Sequence, residues 1–170
     1  MLRLCKLLTI MKVVFSILII LTLGVFYLVW LNDQHWRDTI PAEFKLGSTL
    51  HSNSDLQGMT EACGVHVYEL EEATLDKIKA ERIGFLNTAK QARGHSDYYY
   101  SYGEWQNTPR KDWKRPENWV YELMCAGMPP KLQGIIIDSG KNPGSFYSRG
   151  QEKALMVIPN HKIIVLTHRG

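Results

Sequence analysis

The strongest pattern along the chain is an unbroken apolar run, Val13 to Leu31 (VVFSILIILTLGVFYLVWL), which carries no charged residue. As a helix rising 1.5 Å per residue, a run of about nineteen residues crosses a hydrocarbon core of roughly 30 Å. Arg3, Lys6 and Lys12 precede it, and the first acidic residue is Asp33. The positive-inside bias therefore predicts a cytoplasmic tail over 1–12, a transmembrane anchor over 13–31 and export of everything beyond. A cleaved secretory signal would have a shorter apolar core, about 7–15 residues, followed by small residues. Here the exit is bulky, Phe26 to Leu31, and Cys5 lies before the run rather than after it, where a lipoprotein signal needs its cysteine. Tyr27, Trp30 and Trp36 fall where an aromatic belt meets the outer headgroups. Met11-Lys12 reads as a second plausible start, and either start leaves this topology unchanged.

Beyond the anchor, residues 32–58 are polar and unpatterned and read as a mobile juxtamembrane linker with one short strand near Phe44-Lys45-Leu46. The fold is expected over 59–170. Cys63, Val65 and Val67 alternate with Gly64, His66 and Tyr68 at strand periodicity. A helix follows over Ala73 to Gly94, capped by Thr74, with Leu75, Ile78, Phe85, Leu86 and Ala89 on one stripe and Gly94 as its stop. Ser96 to Trp119 lacks clean periodicity and predicts an irregular segment with one strand through Tyr98–Tyr102. A short helix is expected from Pro116 towards Gly127, broken by Met128-Pro129-Pro130. Leu132 to Ser139 reads as a buried strand. Lys153–Pro159 and Lys162–Thr167 read as two further strands joined at Asn160-His161. The sum is an α+β chain: a transmembrane helix, then one small domain with a largely antiparallel sheet of four or five strands and about two helices.

Charge narrows the function classes. Three of the 20 Lys and Arg precede the anchor, which leaves 17 against 17 Asp and Glu, so the exported part is formally neutral. The pI of 8.7 therefore comes from the tail. The basic excess that phosphate contacts require is missing, which argues against nucleic acid as a partner. Cys63 and Cys125 are the only thiols on the exported side, and an even count in an oxidising compartment predicts a disulfide. No Asn-X-Ser/Thr acceptor occurs, so a bacterial inner membrane with a periplasmic domain is the expected setting.

Candidate chemistry is sparse. The six histidines include no pair at metal-ligand spacing, and no cofactor or metal is expected. His66 and Cys63 are three residues apart and fall on opposite faces of a regular strand, which argues against a thiol–imidazole pair. Asp138 and Ser139, with His161 or His168, supply the residue types of a hydrolase, but a turn at a strand end explains them as well, and no nucleophile signature is present. Gly140 to Gly144 has the wrong spacing for a phosphate loop. The distinctive feature is aromatic: five tyrosines and three tryptophans between Ser96 and Tyr121, interleaved with Arg110, Lys111, Lys114 and Arg115. Such residues are either the core packed beneath a loop or a contact surface. As a surface, Tyr98, Tyr99, Tyr100, Tyr102, Trp105 and Trp113 are the expected partner contacts. The sequence thus predicts a membrane-anchored, non-enzymatic interaction domain, an accessory subunit that meets lipid through its helix and an envelope or membrane protein through its aromatics. The alternative is a periplasmic hydrolase or glycan-binding protein acting on peptidoglycan or peptide.

Overall fold

The computed structural model of the chain describes residues 2–57, 61–113 and 123–169. It divides into two compact units, Met1–Trp36 and Arg37–Gly170. Helix α1 runs Leu2–Asp38, and its segment Val14–Asp38 is long and apolar enough to cross a membrane. Its apolar side chains are bare: Phe26, Leu28 and Ile20 are each about two-thirds exposed. In water such a helix would be costly, whereas in lipid the same side chains lie in a matched solvent. Thr22 donates its hydroxyl to the Leu18 carbonyl at 2.8 Å, so even the polar group within the run is satisfied inside the helix.

The second unit is built on six strands: β1 (Leu46–Gln57), β2 (Glu61–Leu70), β3 (Gln106–Asn107), β4 (Phe146–Arg149), β5 (Lys153–Ile158) and β6 (Ile163–Arg169). They form one sheet in the order β1-β2-β6-β5-β4-β3, every pairing antiparallel. Among the described residues its helices include α2 (Glu72–Glu81), the single turn α3 (Ile83–Leu86) and α4 (Pro130–Lys141). The architecture is the expected α+β, with six strands rather than four or five.

Pairing register assigns the two sheet faces. Val65 and Val67 on β2 share a face with Val165 and Ile163 on β6, Met156 and Ile158 on β5, and Tyr147 on β4. Leu123, Ala126 and Met128 from the segment before α4, together with Ile136 on α4, close over that face. The other face carries His66, Tyr68, Leu166, Ile164, Leu155, Val157 and Phe146, all buried. The Arg37 guanidinium lies 4.7 Å above the Tyr68 ring on this side. Both faces of the central strands are dry, so their sequences read as continuous apolar runs (ALMVI, IIVL) rather than alternating ones.

Several expectations are corrected. The stretch taken for a mobile linker contains β1, a twelve-residue edge strand. An edge strand draws its order from backbone bonds to one neighbour, so it shows no apolar alternation, and its polar side chains bond to residues distant in sequence, Ser52 to His66 and Asn53 to the Ala126 carbonyl. The long helix expected over Ala73–Gly94 stops at Glu81. Arg82 takes φ 50° and the chain restarts as α3. Position 82 is where the Leu75–Ile78 stripe should continue, and an arginine there leaves nothing to bury. Thr74 does not cap the helix; its hydroxyl accepts from the Lys45 N–H at 2.9 Å, tying the β1 approach to α2. Tyr98–Tyr100 is a 3₁₀ turn rather than a strand, started by the Asp97 carboxylate accepting the Tyr99 N–H. Leu132–Ser139 is not a strand but most of α4. Pro130 opens it at a position that tolerates proline, and Leu132, Ile135 and Ile136 form a helical stripe that the β-branched run obscured. The expected helix from Pro116 lies largely outside the described residues, although 123–125 are helical. The β5–β6 hairpin is present, its turn closed by Lys162 at φ 56°.

Candidate functional site

A cleft of about 400 Å³ opens where β5 begins and β6 ends. Its walls bring in Arg110, Asp112 and Trp113 from the segment after β3, Arg149 at the end of β4, Glu152 and Lys153 at the β4–β5 turn, and Arg169 at the end of β6. The centre is Arg110, whose side chain is only 7% exposed. Its Nε and Nη2 donate to Asp112 Oδ1 and Oδ2 at 3.1 and 2.7 Å, a bidentate fork. The guanidinium is flanked by two rings, 4.6 Å from Trp113 and 4.9 Å from Tyr147. The Arg110 N–H donates to the Gly140 carbonyl of α4 at 2.8 Å. Tyr147 is held in turn by donating to Gln106 Oε1 at 2.8 Å and accepting from the Lys111 N–H at 3.1 Å. The buried cation is thus oriented by its carboxylate fork and two flanking rings before any ligand arrives.

Around this rigid centre the charge is lopsided. Burial pushes the Asp112 carboxyl up, but the Arg110 bonds and charge outweigh it and hold the group below the usual carboxylate range. Arg149 Nε stands 3.8 Å from Asp112 Oδ2, with its side chain 68% exposed. Burial lowers the Lys153 ammonium pKa, and its Nζ sits 4.0 and 4.2 Å from the Tyr99 and Tyr100 ring centres. Tyr99 donates its hydroxyl to Glu152 Oε2 at 3.0 Å. Glu152 adopts φ 57°, which lets its carbonyl accept from the Arg169 N–H at 2.8 Å and closes the turn against β6.

A second cluster crosses the other face of the sheet. Ser54, Gly64 and His168 are direct cross-strand partners, as are Ser52 and His66. The Ser54 hydroxyl lies 3.2 Å from His168 Nε2 and 3.4 Å from His66 Nε2, and His66 Nδ1 lies 2.8 Å from Ser52 Oγ. The two imidazoles stack at 5.6 Å. A Cβ on Gly64 would fall 2.2 Å from His168 Nε2 and 2.5 Å from Ser54 Oγ, so the cluster exists only because that residue is glycine. No sequence spacing signals it, because these residues meet through register alone. Among the described residues no group of three or more His, Cys, Asp or Glu is assembled that could hold a metal ion.

The residues singled out from sequence divide. Cys63 and Cys125 are joined in a disulfide with their Cα atoms 6.5 Å apart. It ties β2 to the segment that covers the sheet, close to where His51 Nε2 and Asn53 Nδ2 contact the Ala126 carbonyl. Of the aromatic run, Tyr98 is 85% exposed, Tyr99 is 40% exposed and Tyr100 is half-buried. Tyr102 and Trp105 are corrected from contact surface to core. Each is 4% exposed, with the Tyr102 hydroxyl donating to Thr39 O and the Trp105 indole to Ala89 O. Trp113 lines the cleft. Asp138 and Ser139 lie on α4, above one face of the sheet, whereas His168 points to the other and His161 sits in an exposed turn. The expected strand-end turn is not there, and the sheet separates these residues from His168.

Sequence reasoning missed Arg110, Asp112 and Arg149 as a unit. The signal available was the Arg-x-Asp spacing beside Trp113, within the aromatic segment already marked as unusual. No protein-family model, curated protein or solved structure matches this chain.

Proposed function

We propose that the chain is a single-pass membrane-anchored protein whose exported α+β domain is a non-enzymatic binding module, an accessory subunit of an envelope complex. The observation that carries this reading is the aromatic ledge at Tyr98–Tyr100. Tyr98 stands 85% exposed beside two rings stacked over the Lys153 ammonium. A large rigid aromatic held clear of the core beside a cation is the composition of an interaction hot spot. The apolar helix keeps such a domain within reach of membrane neighbours. The interaction set is reduced to Tyr98, Tyr99, Tyr100 and Trp113, since Tyr102 and Trp105 are interior.

The test is site-specific photocrosslinking from position 98 in intact cells, followed by extraction in mild detergent and mass spectrometry. One stoichiometric protein adduct, lost when the crosslinker is moved to an exposed site on α2 such as Lys79, supports the reading. Recovery of the protein alone, or an adduct with a glycan in place of a protein, overturns it.

A further inference from the structure

We propose that the cleft around Arg110 is a binding site for a small ligand or chain end that presents a carboxylate or phosphate group. This inference shares Trp113 and Lys153 with the partner reading but does not rest on it, since that reading is carried by the exposed Tyr98.

The charge count comes first. Among the described residues four cationic side chains line the cleft (Arg110, Arg149, Lys153 and Arg169) against two carboxylates, Asp112 and Glu152. The exported part as a whole is formally neutral. A local excess of two positive charges in a concave site of about 400 Å³ is therefore a concentration of charge rather than a reflection of composition.

Preorganisation comes second. Asp112 spends its bidentate face on Arg110, and Trp113 and Tyr147 clamp that guanidinium from two sides. Arg149, mostly exposed and only 3.8 Å from Asp112, hangs at the rim with its fork open to solvent. The buried pair orients, and the rim arginine is the group able to close on an oxyanion, which its planar fork matches two bonds at a time.

The third observation limits the ligand. Behind Trp113 the apolar floor of Leu123, Ile136, Met156 and Val165 leaves only about 10 Å³, space for a single water or methyl group. An acyl chain has nowhere to go. The occupant is a small polar anion, with at most one methyl-sized substituent seated against Trp113.

The test titrates full-length protein in nonionic detergent micelles, at fixed low ionic strength, by calorimetry. The probes are N-acetyl-alanyl-alanine, the same dipeptide as its C-terminal amide, and inorganic phosphate. Binding of the free acid alone assigns a carboxylate ligand, and binding of phosphate alone assigns a phosphate ligand. Mutual competition identifies one oxyanion site serving both. Where the acid binds, the amide binds at least about tenfold more weakly and equal binding of the two counts against the site; whichever anion binds, Arg149→Gln weakens it by about tenfold or more, the loss of one charge-assisted contact. Far-UV ellipticity should stay unchanged in that variant, because the side chain lies at the surface. Measurable and equal binding of acid and amide, unchanged affinity in Arg149→Gln, or no binding of either anion up to about 10 mM, beyond the millimolar range of a weak site, overturns the proposal.

Discussion

Gly140→Ala should be strongly destabilising, against the ordinary expectation for a helix. Gly140 lies in the last turn of α4, where replacing glycine with alanine normally gains about 1 kcal/mol. Here the new Cβ would stand 1.9, 2.2 and 2.9 Å from Cζ3, Cη2 and Cε3 of Trp113. These atoms belong to a rigid ring held by the Arg110 guanidinium at 4.6 Å, so the clash cannot be relieved by turning a flexible chain end. Expelling the ring forfeits the cation–π contact, about 0.5–2 kcal/mol, and forcing the extra methyl into place costs about 1–3 kcal/mol. Less the propensity gain, the net loss is about 0.5–4 kcal/mol. Thermal melting of the full-length protein in detergent, followed by near-UV ellipticity, should show a midpoint lowered by several degrees, at about 3–5 °C per kcal/mol for a unit of this size. On a Trp113→Ala background the obstacle is gone, and Gly140→Ala should then stabilise by up to about 1 kcal/mol. A sign reversal between backgrounds is the signature of direct contact. If Gly140→Ala raises the midpoint of the otherwise native chain, Trp113 is not packed on α4 and the reconstruction of the cleft is wrong.

Other outcomes follow from the same contacts. Reducing the Cys63–Cys125 disulfide opens a loop spanning 62 residues, which on the chain-entropy account costs about 4 kcal/mol; melting with and without reductant should differ accordingly, and coincident curves would show that the bridge does not constrain the unfolded chain. Asp112 titrates below its ordinary value of 3.8 in the folded state, so its contribution is complete at neutral pH and fades as the pH falls from about 4 through that lower value. Asp112→Asn should therefore flatten the acid limb of the stability–pH profile while lowering the neutral plateau, and an unchanged limb would contradict this. Tyr102→Phe removes the donor to the buried Thr39 carbonyl and should cost about 1–3 kcal/mol, whereas Tyr98→Phe at the surface should stay within about 0.5 kcal/mol. Equal losses at the two tyrosines would dissolve the division of the aromatic run into core and ledge.

How far the chain could be read in advance depended on where each signal resides. The apolar helix, the β2 strand and the β5–β6 hairpin were legible because each carries its own pattern over consecutive residues. The helix α4 was misread because a β-branched run fits a strand and a helix equally well over a few positions. Only its seat above Met156 and Val165 chooses between them. Strand β1 was invisible for the opposite reason, since its polar residues have no periodicity of their own and acquire order from β2.

By itself the amino-acid sequence determined the apolar helix long enough to cross a membrane, the α+β class and the pairing of Cys63 with Cys125. Those follow from hydropathy, composition and count, which tertiary contacts leave unaltered. The tertiary structure decided the rest. Which tyrosines are core, which face each histidine takes, and that Arg110, Arg149 and Arg169 share one cleft all depend on strand register. Register is a long-range property, and a shift of one residue would send His66, Ser54 and His168 to the opposite face and scatter the cationic site.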